Sequence, residues 1–74
     1  MITVIFLASL REAMGLEGCE VEHAPTIAEV WAQATDASPV QTSILCAING
    51  NLANWHAKVS DGDEVAFFPP MTGG

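Results

Sequence analysis

Hydrophobic side chains fall along this chain in two periods, and the switches between them predict its elements. Ile2-Thr3-Val4-Ile5-Phe6-Leu7 is rich in β-branched and aromatic residues and apolar on both alternating faces after Thr3. That pattern predicts a central strand covered on one side by a helix. Ser9 and Glu12 have capping-box spacing and Gly15 supplies a stop, so a short helix is predicted over 10–14. Cys19-Glu20-Val21-Glu22-His23 alternates with acidic residues, as an antiparallel strand with one wet face does. Pro25 breaks it. Thr26 and Glu29 repeat the capping spacing ahead of Ile27, Val30, Trp31 and Ala34, which fall at i, i+3, i+4 and i+7. One apolar helical stripe results, expected to lie across the sheet until Asp36-Ala37-Ser38-Pro39 opens a loop.

Ile44-Leu45-Cys46-Ala47-Ile48 reads as a compact apolar strand, Asn49-Gly50 as a tight turn, and Leu52-Ala53 as a short return strand. Trp55 and His56 fall in an irregular region, with Trp55 expected to lid one end of the core. Asp61-Gly62-Asp63 is a second turn, and Glu64-Val65-Ala66-Phe67-Phe68 a last strand whose two aromatics point to opposite faces. The order strand, short turn, strand, helix, strand, short strand, strand predicts an α+β fold. It is the ubiquitin-like β-grasp pattern: a mixed sheet packed on one main helix.

Composition narrows the function. Seventy-four residues make a single domain, and half of them are hydrophobic, more than so small an interior hides. Some apolar surface is therefore expected to face a partner. Only Arg11 and Lys58 oppose nine acids, for a formal charge of -7. That balance disfavours nucleic acid and anionic membranes, both of which are held by lysine and arginine. It either steers a basic partner toward the protein or serves solubility alone. Cys19 and Cys46 have no Cys-x-x-Cys spacing and read as small core hydrophobes, although spacing alone does not exclude a disulfide. Neither has a histidine at ligand spacing, so no metal is expected. The apolar start has no preceding positive residue and Arg11-Glu12 ends it early, so no signal peptide is expected and the cytoplasm is the default compartment. No nucleophile is paired with a base, and Glu12, Asp61 and Asp63 are absorbed by cap and turns.

Chemistry concentrates in the last eight residues, Phe67-Phe68-Pro69-Pro70-Met71-Thr72-Gly73-Gly74. Two prolines cannot continue a central strand and hold the chain extended. Glycines without Cβ atoms pass a channel too narrow for other residues. A globular part, 1–69, is thus expected to carry a tail, 70–74, that reaches roughly 17 Å at about 3.3–3.6 Å per residue.

Several blocks resemble the small subunits of molybdopterin synthase, the MoaD-type sulfur carriers. They are Val4-Ile5-Phe6-Leu7-Ala8 with Leu10-Arg11-Glu12 and Gly15, Thr26-Ile27-Ala28-Glu29-Val30, Ala47-Ile48-Asn49, and Asp61-Gly62-Asp63-Glu64-Val65-Ala66-Phe67-Phe68-Pro69-Pro70 through Gly73-Gly74. Met71 and Thr72 depart mildly from the small aliphatic and hydroxyl residues usual there. The resemblance implies that no cofactor is bound. A ubiquitin-activating-like adenylyltransferase converts the Gly74 carboxylate to an acyl adenylate, and a sulfur donor enzyme makes it a thiocarboxylate. Pro70, Met71, Thr72, Gly73 and Gly74 then enter the large catalytic subunit and deliver sulfur to a cyclic pyranopterin precursor, two loaded carriers per product. Catalytic groups are expected on that subunit, in a heterotetramer with two large subunits at its centre. The docking patch is expected among Phe6, Leu7, Arg11, Phe67, Phe68 and Pro69. Whichever of Phe6 and Leu7 is not core joins it, and Arg11 is either a partner salt bridge or a solvated helix residue. Carriers for thiamin synthesis and protein-conjugated ubiquitin-like tags remain the alternatives.

Overall fold

The computed structural model describes residues 1–35 and 43–70. Within them the chain forms β1 (Ile2–Phe6), α1 (Ala8–Met14), β2 (Gly18–Val21), α2 (Ile27–Ala34), β3 (Leu45–Ile48), β4 (Asn51–Ala53) and β5 (Glu64–Phe68). The strands make one mixed sheet in the order β2-β1-β5-β3-β4. β1 and β5 run parallel and the remaining neighbours antiparallel. This is the expected β-grasp, with β5 at the centre.

Alternation decides what each strand buries. Ile2, Val4 and Phe6 of β1 and Val65 and Phe67 of β5 point to one side, where Ile27, Val30 and Trp31 of α2 meet them. Trp31 lies 5.0 Å from Phe67 and 6.5 Å from Phe6 between ring centroids, both edge-on. Trp55 stacks on Phe67 at 5.5 Å and closes that end of the core, as expected. Its seat follows from helix-end chemistry. The first N–H groups of a helix have no partner within it. Here Ile27 N donates to the Ala57 carbonyl (3.1 Å) and Ala28 N to that of Trp55 (3.0 Å), while Thr26 Oγ1 accepts from Glu29 N (3.3 Å).

α1 departs from expectation. It begins at Ala8, two residues before the predicted start, with Leu7 as an extended N-cap and no side-chain capping bond. The Ser9–Glu12 box does not form, because a sharp turn at Ala8 (φ 54°) already directs the chain into the helix and places Ser9 inside its first turn. Gly15 ends it as predicted, left-handed at φ 73° and donating to the Arg11 and Glu12 carbonyls. β2 starts one residue earlier than predicted and stops at Val21. Gly18 is required there: a Cβ built on it would lie 2.1 Å from the Val4 carbonyl oxygen.

Asn49-Gly50 makes the predicted two-residue hairpin, with φ 50° and 87° and with Ile48 opposite Asn51. The Asn49 side chain accepts from Glu64 N (2.9 Å) and donates to Asp63 (3.1 Å), fastening this hairpin to the start of β5. The N-terminal ammonium pairs with Asp61. Both cysteines are free. The stretch 36–39, expected to open a loop, lies outside the described residues. Among those described, no helix is long and apolar enough to cross a membrane.

Candidate functional site

β5 delivers the chain to its end through the middle of the sheet, so the root of the tail is held from both sides. Leu7 N donates to the Phe67 carbonyl (3.0 Å), and Leu45 stands opposite Phe68 in the register. Phe68 and Pro69 are half-buried and Pro70 is exposed. Met71, Thr72, Gly73 and Gly74 lie outside the described residues, and with them the expected adenylation position and every expected insertion position except Pro70.

The structure separates the residues expected at the docking patch. Phe6 and Phe67 are 1% and 0% exposed and belong to the core. They are corrected from interface to core, because the parallel register sets Phe6 beside Phe67 on the side facing α2, their rings 6.1 Å apart. The one-residue step that buries each of them turns its neighbour outward. Leu7 is 41% exposed. Leu7, Phe68 and Pro69 therefore stay together at the surface beside the tail root. Arg11 is exposed and ion-paired with Glu17, next to a shallow groove that includes Ile5, Leu7 and Gly18.

Register reveals a larger outer face. Ile5 pairs with Gly18 and Ala66, Ala66 with Ala47, and Ala47 with Leu52, and paired residues share a face. Side chains of Ile5, Ala66, Ala47 and Leu52 thus form one apolar row across four strands, away from the core. Leu7, Phe68 and Leu45 make a second row nearer the tail. Leu52 is 75% exposed. On the other side of the first row, Glu20 and Glu64 flank Thr3 in a polar row. Ile5, Leu45 and Leu52 were not singled out from the sequence. The signal was there, in strands apolar at both phases of the alternation, but only the pairing register aligns them.

Neither thiol is poised for covalent chemistry. Burial pushes both the Cys19 and Cys46 thiols up, away from the thiolate, and the Cys46 thiol donates to the Ala53 carbonyl (3.2 Å). Asp63 is held below the usual carboxylate range by the Ser60 backbone N–H and the Asn49 side chain, as a turn staple. Among the described residues, no group of three or more His, Cys, Asp or Glu side chains is placed to hold a metal ion. What the site offers is an apolar surface beside the end of β5.

Known proteins resemble this chain in sequence and in fold. The molybdopterin synthase sulfur carrier subunit of Escherichia coli (strain K12) is 36% identical over 85 aligned positions spanning all of both chains. The protein of the same name from Haemophilus influenzae is 34% identical, again over the full length of both. In three dimensions, the solution structure of small archaeal modifier protein 1 from Methanosarcina acetivorans matches with a TM-score of 0.80 at 25% identity, covering 99% of this chain and 95% of that one. The ThiS family model matches residues 4–74, and the chain belongs to the ThiS family.

Proposed function

We propose that this protein is the sulfur carrier and small subunit of a molybdopterin synthase. The observation that carries the reading is full-length similarity, at 36% and 34% identity, to two proteins named as that subunit. The geometry supports it: the central strand β5 leads directly into Pro69 and Pro70, and the described side chains include no nucleophile matched to a base.

The tail's chemistry follows from the weakness of a carboxylate as an electrophile. An adenylating enzyme joins the Gly74 carboxylate oxygen to the α-phosphorus of ATP, and pyrophosphate leaves. A sulfide equivalent from a sulfur donor enzyme attacks the activated carbonyl carbon, AMP leaves, and a thiocarboxylate remains. In the large subunit the thiocarboxylate sulfur attacks a carbon of the pyranopterin precursor and bonds to it as a carbon–oxygen bond of that carbon breaks, the oxygen substituent leaving with the bonding pair. Water then takes the carbonyl carbon, the C–S bond to Gly74 breaks, and the carboxylate is restored. The protein is a tethered cosubstrate, acting in the cytoplasm, and catalytic groups belong to its partners.

Intact mass spectrometry after coexpression with the adenylating enzyme and a sulfur source tests this. One oxygen replaced by sulfur, localised to Gly74, is expected. An unchanged mass under conditions that thiolate the Escherichia coli carrier refutes it, and a lysine isopeptide adduct would favour a protein tag instead.

A further inference from the structure

We infer that Asn49 is a site of spontaneous modification guarded by the fold: Asp63 and Glu64 hold its side-chain amide against attack by the Gly50 nitrogen. Once the amide is lost, the new carboxylate faces Asp63 and releases the β3–β4 hairpin from β5. This is independent of the carrier reading.

The chemistry starts from the dipeptide. Asn49-Gly50 is the single Asn-Gly pair in the chain, since Asn51 and Asn54 precede Leu52 and Trp55. Glycine has no Cβ to crowd its own nitrogen, so that nitrogen can approach the side-chain carbonyl carbon of the residue before it. Hydroxide takes the Gly50 N–H proton, the nitrogen bonds to Asn49 Cγ, and the Cγ–Nδ2 bond breaks as ammonia leaves with a proton from water. Water then opens the cyclic imide at either carbonyl, leaving aspartate or isoaspartate at position 49. Water is consumed and ammonia released, with no change of oxidation state.

The reacting groups are open to solvent. Asn49 and Gly50 are both exposed. Among the described residues the Gly50 N–H donates to no backbone carbonyl. In the related Asp61-Gly62 pair the nitrogen is already engaged, donating to the Met1 carbonyl (2.8 Å).

What holds the reaction back is the bonding of the amide itself. Asn49 Oδ1 accepts from Glu64 N (2.9 Å), and Nδ2 donates to Asp63 Oδ1 (3.1 Å). Asn49 N also donates to the Glu64 carbonyl (2.8 Å), so backbone and side chain are fixed together. Attack makes Cγ tetrahedral, which draws Oδ1 and Nδ2 off these partners. Nδ2 must also gain a proton to leave. Asp63, its carboxyl held below the usual range, has none to give at neutral pH.

After the amide is lost, the same geometry works against the fold. An oxygen replaces Nδ2 at the position 3.1 Å from Asp63 Oδ1, and two carboxylates that close repel. Isoaspartate also lengthens the main chain by a carbon, so the two-residue turn with φ of 50° and 87° no longer closes.

Peptide mapping by mass spectrometry, after incubation at mildly alkaline pH, follows the amide-to-acid mass change at Asn49 with Asn51 and Asn54 as internal references. In the folded wild type, Asn49 is expected to convert about tenfold or more slowly than in the same protein unfolded in urea. Asp63→Ala, still folded, is expected to convert severalfold faster than wild type. Val30→Ala, which weakens the core at a fully buried position, is expected to stay near the wild-type rate. Conversion at least as fast in Val30→Ala as in Asp63→Ala overturns the guard, because global unfolding would then set the rate. A folded wild-type rate equal to or above the unfolded one overturns it too, and would make Glu64 N–H a donor that activates the carbonyl. Wild-type protein modified at Asn49 and separated by ion exchange is expected to unfold at lower urea than the unmodified fraction. An unchanged midpoint overturns the release of the hairpin.

Discussion

Asp63 shows how a single surface side chain holds two distant segments in place. One carboxylate oxygen accepts from Ser60 N (2.8 Å) and the other from the Asn49 amide (3.1 Å), so the turn before β5 and the β3–β4 hairpin share one acceptor group. Both bonds favour the charged form, and the carboxyl is held below its ordinary value of 3.8. A carboxyl depressed on folding contributes stability that is present above the unfolded pKa and is lost as pH falls through the folded one. Asp63→Asn keeps an acceptor for Ser60 but sets an amide donor against the Asn49 donor. The variant is therefore expected to unfold at lower urea than wild type at neutral pH, with the gap closing as pH falls through the folded pKa and the wild-type carboxylate protonates. A gap that stays constant over that range would show that the staple is not electrostatic.

At the level of elements, α1 is the piece that sequence alone describes least well. Its Ser9–Glu12 spacing satisfies a capping rule, yet the helix starts at Ala8, with a left-handed φ of 54° and no side-chain cap. Parallel pairing of β1 with β5 fixes where Leu7 must point, and the chain turns at the next residue whatever the local cap prefers. A left-handed L-residue costs about 1–2 kcal/mol. Glycine removes that cost while adding about 0.5–1 kcal/mol of unfolded-state entropy. Ala8→Gly is thus expected to stabilise by about 0.5–1 kcal/mol, a Tm rise of several degrees at about 4–8 °C per kcal/mol for a chain of this size. A lower Tm in calorimetry would mean that the turn is not strained.

The contrast with α2 and β5 explains what can be read in advance. Thr26 caps α2 as predicted, and Ile27, Val30 and Trp31 bury as their spacing demands, because local and tertiary preferences agree there. β5 runs over the predicted Glu64–Phe68, ended by Pro69. That one of Phe67 and Phe68 faces the core follows from alternation; which one does not. Parity is set by pairing with β1 and β3, partners far away in sequence. The same long-range register assembles the outer face from Ile5, Ala66, Ala47 and Leu52, four residues on four strands. A reading that proceeds along the chain has no means of putting them side by side.

For the whole molecule, the high apolar fraction and the acidic charge have separate places. Half the residues are hydrophobic, and the domain carries two apolar surfaces, a core against α2 and an outer sheet face. The charged side chains among the described residues lie outside the core, where none of the described buried residues is polar or charged. The described core cluster runs from Ile2 to Phe67, and the domain is expected to be stable without its tail. Stability and sulfur delivery should therefore separate under mutation. Gly73→Ala adds one methyl group at a position proposed to pass a channel in the partner that admits only backbone. We expect its urea midpoint to equal that of the wild type, and its large-subunit complex to release little or no sulfurated pterin in single-turnover assays with thiocarboxylated protein. The comparison starts from carrier already loaded, so a defect reports delivery and not adenylation. Wild-type turnover by the alanine variant would show that the channel has room for a side chain. The glycines would then owe their place to the flexibility of the tail.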